Sequence, residues 1–168
     1  MSEEIEFLKE LQQELKTQDH DYQAAPRFWT VGDYRWIRTS EDDAERYSVY
    51  LPNDAECYEL QAFLKEVPTE CYAIEDVSEF QNIDCETEAI EWIQNNIDED
   101  AELIPEKKEH FTQPNTMFLT KQEAKDHIRL NHYHYTDEVH TYAMTAWRAP
   151  KVERLLNILE TFDWNKLK

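Results

Sequence analysis

Between Glu41 and Glu109 the chain carries 22 Asp or Glu against four Lys or Arg, a net of −18 out of −20 for all 168 residues. Such a stretch folds only if its carboxylates face water, because like charges resist compaction and a buried ionised acid needs partners. Its apolar residues recur at helical spacing: Leu60, Phe63, Leu64 and Val67, then Ala89, Ile90, Ile93 and Ile97. The charge is therefore expected on ordered faces and not on a solvated tail. Five Trp, nine Tyr and seven Phe agree with that expectation, since disordered acidic segments are poor in aromatics. The length suits one compact domain, residues 1–168, able to bury a sizeable core.

Several function classes are excluded by what is missing. Gly32 is the only glycine, which removes phosphate-cradling loops of the Walker and dinucleotide types. No window approaches 18 apolar residues, and Met1 to Glu10 is acidic where a secretory leader is basic. No membrane association is expected, and the protein is expected to stay in the cytoplasm where it is made. Cys57, Cys71 and Cys85 are odd in number and sit among acids. They read as reduced thiols of raised pKa, inert as nucleophiles.

In chain order, Ile5, Leu8, Leu11 and Leu15 predict an amphipathic helix behind Ser2 as N-cap. Arg27 to Arg38 and Arg46 to Leu51 predict two strands joined as an antiparallel hairpin. Asp54 can cap a helix to about Glu66, Cys71 to Val77 is a weak strand, and a firmer helix spans about Asp84 to Ile97. Ala101 to Thr112 has extended character. Thr120 and Glu123 form a capping box that opens a helix to about Leu130. His140 to Trp147 reads as a strand with Tyr142, Met144 and Trp147 in the core, leaving His132, Tyr133 and His134 accessible. Pro150 opens a last helix with the stripe Val152, Leu155, Leu156, Leu159 and Phe162. The expected fold is α+β, a small antiparallel sheet packed with about five helices, having an acidic middle (41–109) and a C-terminal helix-strand-helix unit (116–164).

Candidate chemistry is sparse. His127, His132, His134 and His140 raise the question of zinc, with Asp126 or Asp137 as oxygen ligands, but no cysteine is near and no His-Glu-x-x-His helix occurs. Ser2, Ser40, Ser48 and Ser78 lack a nucleophile-elbow context. Asp98, Glu99 and Asp100 suggest calcium but lack the glycine that its loops need for their turn. No catalytic residue, metal or cofactor is assigned, and an enzyme using the His127 to His140 cluster is a lesser alternative. Arg27, Arg35 and Arg38 beside Phe28, Trp29 and Trp36 offer a stacking patch for single strands. Core aromatics with solvated arginines explain that patch better, so direct nucleic-acid binding is not expected.

The acids themselves are the candidate site. Duplex DNA shows about one negative charge per 1.7 Å of axis, and its binding proteins meet it with Lys and Arg channels. Glu75, Asp76, Glu79, Asp84, Glu86, Glu88, Glu91, Asp98, Glu99 and Asp100 give a carboxylate density suited to occupying such a channel. The expected partner is a basic, nucleic-acid-binding protein.

Three segments carry a family resemblance. Asn115 to Ala124 (NTMFLTKQEA), with His127, Ile128 and Asn131 to Tyr135, is the first. His140 to Arg148 (HTYAMTAWR) before Pro150 is the second, and Gln23 to Trp29 (QAAPRFW) the third. The chain resembles a family of small acidic proteins encoded by phages and prophages of Gram-positive bacteria. That resemblance implies a phage origin and a host-cytosol setting, and carries over no catalytic residue. By analogy of type and not by matched motif, anti-CRISPR and anti-restriction proteins are the comparison. The expectation is an acidic inhibitor of a host defence protein, a CRISPR effector nuclease being the specific case. An accessory role in phage DNA metabolism is the alternative.

Overall fold

The computed structural model describes residues 2–18, 25–66 and 83–166. The fold is α+β, with five α-helices and five strands among the described residues. The strands are β1 (Arg27–Arg38), β2 (Arg46–Leu51), β3 (Glu56–Glu59), β4 (Glu102–Thr112) and β5 (His140–Thr145). The helices are α1 (Glu3–Thr17), α2 (Leu60–Glu66), α3 (Glu86–Asn96), α4 (Lys121–Leu130) and α5 (Pro150–Thr161). The strands lie in the order β3-β2-β4-β1-β5, with β2 antiparallel to β3 and β4, and β1 antiparallel to β5.

This order corrects the expected hairpin. β1 and β2 are consecutive in sequence but not neighbours, because β4 lies between them. β4 has 11 residues and an extended partner on each side: the amides of Glu45 and Thr39 donate to the carbonyls of Glu106 and Pro105. The helix expected from Asp54 is corrected as well. Pro52 to Ala55 form a turn and Glu56–Glu59 return along β2, pairing Leu51 with Glu56 and Ser48 with Glu59. α2 then starts at Leu60, where the Glu59 carboxylate accepts the amides of Gln61 and Ala62 at 3.1 and 2.6 Å. A carboxylate there satisfies two orphan donors and favours the positive end of the helix dipole. The strand expected over Cys71 to Val77 lies outside the described residues.

Residues divide by their contacts into two units. One is continuous, Arg35–Glu109, and the other joins Met1–Tyr34 to His110–Lys168. The acidic middle belongs to the first and the C-terminal 116–164 segment to the second.

In the continuous unit, Val49, Leu51, Leu60, Phe63, Leu64, Ala89, Ile93 and Ala101 form one buried cluster. Of the expected stripes, Leu60, Phe63, Leu64, Ala89 and Ile93 are buried, Ile90 and Ile97 are partly buried and Val67 lies outside the described residues, while α3 keeps Glu86, Glu88 and Glu91 exposed. Burying a Leu or Ile side chain contributes about 1.5–3 kcal/mol relative to exposure, so the stripes orient both helices.

In the discontinuous unit, Leu15, Trp29, Val31, Ala124, Ala146 and Leu156 are buried. α1 lies against α5, and buried Gln12 joins them: its Nε2 donates to the carbonyls of Leu159 and Phe162, both at 2.9 Å. Its Oε1 accepts Trp164 Nε1–H at 3.0 Å. A C-terminal turn leaves carbonyls without helical partners, and Gln12 supplies the missing donor. Ser2 stands at the N-cap of α1 without a side-chain bond to the helix amides, whereas Thr120 Oγ1 accepts the Glu123 amide at 3.2 Å. Tyr142 (39%), Met144 (36%) and Trp147 (59%) are exposed, against the expectation of core positions. β5 ends at Thr145, and its pairing with β1 places Tyr142 and Met144 on the less covered face, opposite Thr30 and Phe28. Leu155 of α5 is exposed too, so only part of the expected stripe is covered. No described helix is long and apolar enough to cross a membrane.

Ala55 has φ 54° in the exposed β2–β3 turn, a left-handed conformation that a Cβ disfavours. Ala55→Gly is therefore expected to raise the unfolding free energy by about 1 kcal/mol, as measured by urea denaturation.

Candidate partner-binding surface

α3 is built to display acid. Its apolar positions Ala89 and Ile93 are buried, Ile90 and Trp92 are partly buried against the same core, and Glu86, Glu88 and Glu91 are exposed. Glu88 and Glu91 lie three positions apart on one face. Glu86 lies two positions before Glu88 and so points away from it, leaving Glu88 and Glu91 as the pair that shares a face. Asp84, Glu99 and Asp100 are exposed beside the two ends of the helix. Among the described residues none of these six side chains forms an ion pair.

Two of the three arginines of the same unit are paired with other acids. Arg35 contacts Glu109 at 2.6 Å, and Arg46 contacts Glu106 at 2.8 Å while its guanidinium lies 3.9 Å from the Trp36 ring centroid. Glu45, Glu59 and Glu86 line a cleft with Arg46, Tyr47 and Gln61.

Asp98 departs from the expectation. It is 4% exposed, and its carboxylate accepts Asn53 N–H at 3.0 Å, Asn53 Nδ2 at 2.9 Å and Asp100 N–H at 3.0 Å. It ties the β2–β3 turn to the segment after α3, so it supports the surface from beneath and offers nothing to a partner. An acid at a helix C-terminus opposes the dipole, and three donors on one carboxylate outweigh that cost. Glu75, Asp76 and Glu79 lie outside the described residues.

Cys57 and Cys85 are free thiols. Burial first, and then the Glu106 carboxylate, push the Cys57 thiol up against the opposing pull of Arg38 and Arg46. This is the direction expected for an inert cysteine.

The arginine-aromatic patch is dispersed. Trp29 is fully buried and donates its Nε1–H to Gln18 at 2.8 Å, and Trp36 carries Arg46 on its ring. Bases cannot stack on a ring without an open face.

The four C-terminal histidines also separate. His127 Nε2 bonds the Tyr135 hydroxyl at 2.7 Å, and His132 and His134 are exposed in a 3₁₀ turn. Among the described residues no three His, Cys, Asp or Glu side chains converge on one point. His140 instead meets His110 of β4, ring centroids 5.2 Å apart. Sequence proximity concealed that pair, since the two histidines come from strands on either side of β1. The available signal was Gly32, a glycine placed inside a strand.

Asp33, which the sequence did not single out, is 2% exposed in β1. Burial alone would push its carboxyl up. The Thr136 hydroxyl, the amides of Tyr34 and Thr136 and the Gln113 side chain together hold it below the ordinary carboxylate range. The Thr136 amide at 3.2 Å and hydroxyl at 2.5 Å fasten the turn that leads into β5.

No family model, no curated protein and no solved structure matches the chain.

Two predictions concern the buried acids. Because the folded pKa of Asp33 lies below its ordinary 3.8, its contribution is complete above that value and is lost as pH falls through the lower folded value. Asp33→Asn is expected to lower stability by about 2 kcal/mol at neutral pH. In urea titrations from pH 7 to 2.5 the gap to the parent protein should shrink only in the most acidic part. Asp98→Ala should lower stability by a similar ~2–3 kcal/mol in the same assay, although it removes a negative charge.

Proposed function

We propose that this chain is a non-enzymatic binding protein whose acidic unit occupies the nucleic-acid site of a basic protein. The specific form of that reading is a phage-encoded inhibitor of a host defence protein, a CRISPR effector nuclease first among candidates, acting in the cytoplasm of the bacterial host. The observation that carries it is the uncompensated set Asp84, Glu86, Glu88, Glu91, Glu99 and Asp100. All six are exposed, none has an ion pair among the described residues, and all sit on or beside one helix that a buried core holds in place. A solubilising surface intersperses both signs, whereas Arg35 and Arg46 are paired here with Glu109 and Glu106. The resemblance to phage and prophage proteins supplies the setting.

Binding of this kind is steered. Exposed carboxylates attract a Lys- and Arg-lined channel over a Debye length, about 8 Å at physiological salt, and raise the association rate. Rim charges act on that rate and on its salt dependence, while affinity comes from groups desolvated on contact. The cleft lined by Glu45, Glu59 and Glu86 is a receptor for a basic side chain within the same unit.

The test is a five-fold variant, Glu86→Gln, Glu88→Gln, Glu91→Gln, Glu99→Gln and Asp100→Asn, assayed against a panel of defence nucleases at low and high salt. The parent protein is expected to inhibit one of them and to associate at least ~10-fold more slowly at high salt. The variant, folded by circular dichroism, should lose about as much at low salt. Full inhibition by the variant, or an association rate indifferent to salt, overturns the proposal.

A further inference from the structure

The only glycine of the chain lies in the middle of β1, with His140 of β5 paired to it on one side and His110 of β4 on the other. A Cβ placed on Gly32 would meet the Nε2 atoms of His110 and of His140, each at 2.7 Å. Both imidazoles therefore lean over the glycine, each with its Nε2 atom 2.7 Å from the point that any side chain would fill. Glycine weakens a strand interior by its entropy and its lack of a packing side chain. Its position here follows from the space above it and not from its backbone, because its φ is not positive.

The chemistry of the two nitrogens is defined by their surroundings. His140 Nδ1 lies 3.0 Å from the Glu138 carbonyl. A carbonyl only accepts, so Nδ1 carries the proton and donates it, and the neutral ring presents its lone pair at Nε2. A histidine clamped through one nitrogen by a backbone carbonyl and offering the other is the arrangement of a metal ligand. His110 Nε2 is buried and has no hydrogen-bond partner, a desolvated polar atom facing the same point. Tyr142 and Tyr34 wall the pair, their ring centroids 4.8 and 5.3 Å from that of His110. His140 is only partly covered and Tyr142 is exposed, which leaves a way in from solvent.

We propose that His110 and His140 bind a divalent transition-metal ion of the zinc and copper class through their two Nε2 atoms, over Gly32. Imidazole suits these ions, whereas calcium and magnesium require oxygen ligands. Zinc–nitrogen bonds are about 2.0–2.1 Å, so an ion seated over Gly32 would draw both Nε2 atoms in from the 2.7 Å at which they stand from that point. No third His, Cys, Asp or Glu converges with the pair among the described residues, so water completes the shell. The site belongs to the discontinuous unit and is independent of the acidic surface in 35–109.

The test uses the full chain titrated with zinc chloride by calorimetry and by histidine ¹H–¹⁵N correlation spectra. One equivalent should bind, with the Nε2 signals of His110 and His140 shifting together. His140→Gln and Gly32→Ala should each weaken binding at least ten-fold. The glycine variant keeps both ligands and removes only the seat, while a His132→Gln, His134→Gln double variant should bind as the parent does. Should Gly32→Ala fail to fold, His140→Gln and the parent's spectra decide. Absence of saturable binding, shifts confined to other histidines, or unchanged affinity in folded His140→Gln overturns the proposal.

Discussion

Five consecutive residues of β1, Trp29 to Asp33, are buried, and this run sets what surrounds it. Strand side chains alternate between faces, so burial of five in a row requires cover on both. Trp29, Val31 and Asp33 share one face, where the indole N–H and the carboxylate must each find a partner once water is gone. Gln18 and Thr136 supply them. Thr30 and Gly32 share the other, where Thr30 meets the Thr116 hydroxyl at 2.6 Å and Gly32 lies beneath two imidazoles. Backbone bonds complete the enclosure: Trp29 exchanges both of its main-chain bonds with Phe118, and Val31 accepts the Gln113 amide.

Periodicity conveyed the local elements well and their partners poorly. The stripe Ala89, Ile90, Ile93 and Ile97 located α3, because a helix states its buried face within four turns. Pro150 and Thr120 located two helix starts for equally local reasons. The hairpin failed because pairing is non-local: nothing between Arg38 and Arg46 says that β4, some sixty residues later, will separate the two strands. Tyr142 and Met144 were misplaced because an aromatic-rich strand does not state which of its faces is covered.

The acidic surface was legible to the same degree. Exposed carboxylates on α3 follow from the buried stripe, since whatever lies opposite Ile93 must face water. Asp98 was not legible, because its burial depends on Asn53, which arrives from a turn 45 positions away. One run of three acids therefore contains two different objects: a carboxylate saturated by donors, and two neighbours open to solvent. Charge counts treat them alike, and desolvation separates them.

Gln12 joins a helix near the start of the chain to carbonyls about 150 positions later. The unit it stabilises is made of two segments, and the whole acidic unit is inserted between them. During synthesis, which proceeds at ~5–20 residues per second, residues 35–109 are all present while the surrounding unit still lacks α4, β5 and α5. The inserted unit contains its own cluster of buried residues and has only its own contacts to await. The outer unit must hold its first helix, with Gln12 lacking the carbonyls it bonds, until the last helix is released. The order of emergence thus places the strongly charged unit first and leaves the more nearly neutral one to close around the chain's most distant contact.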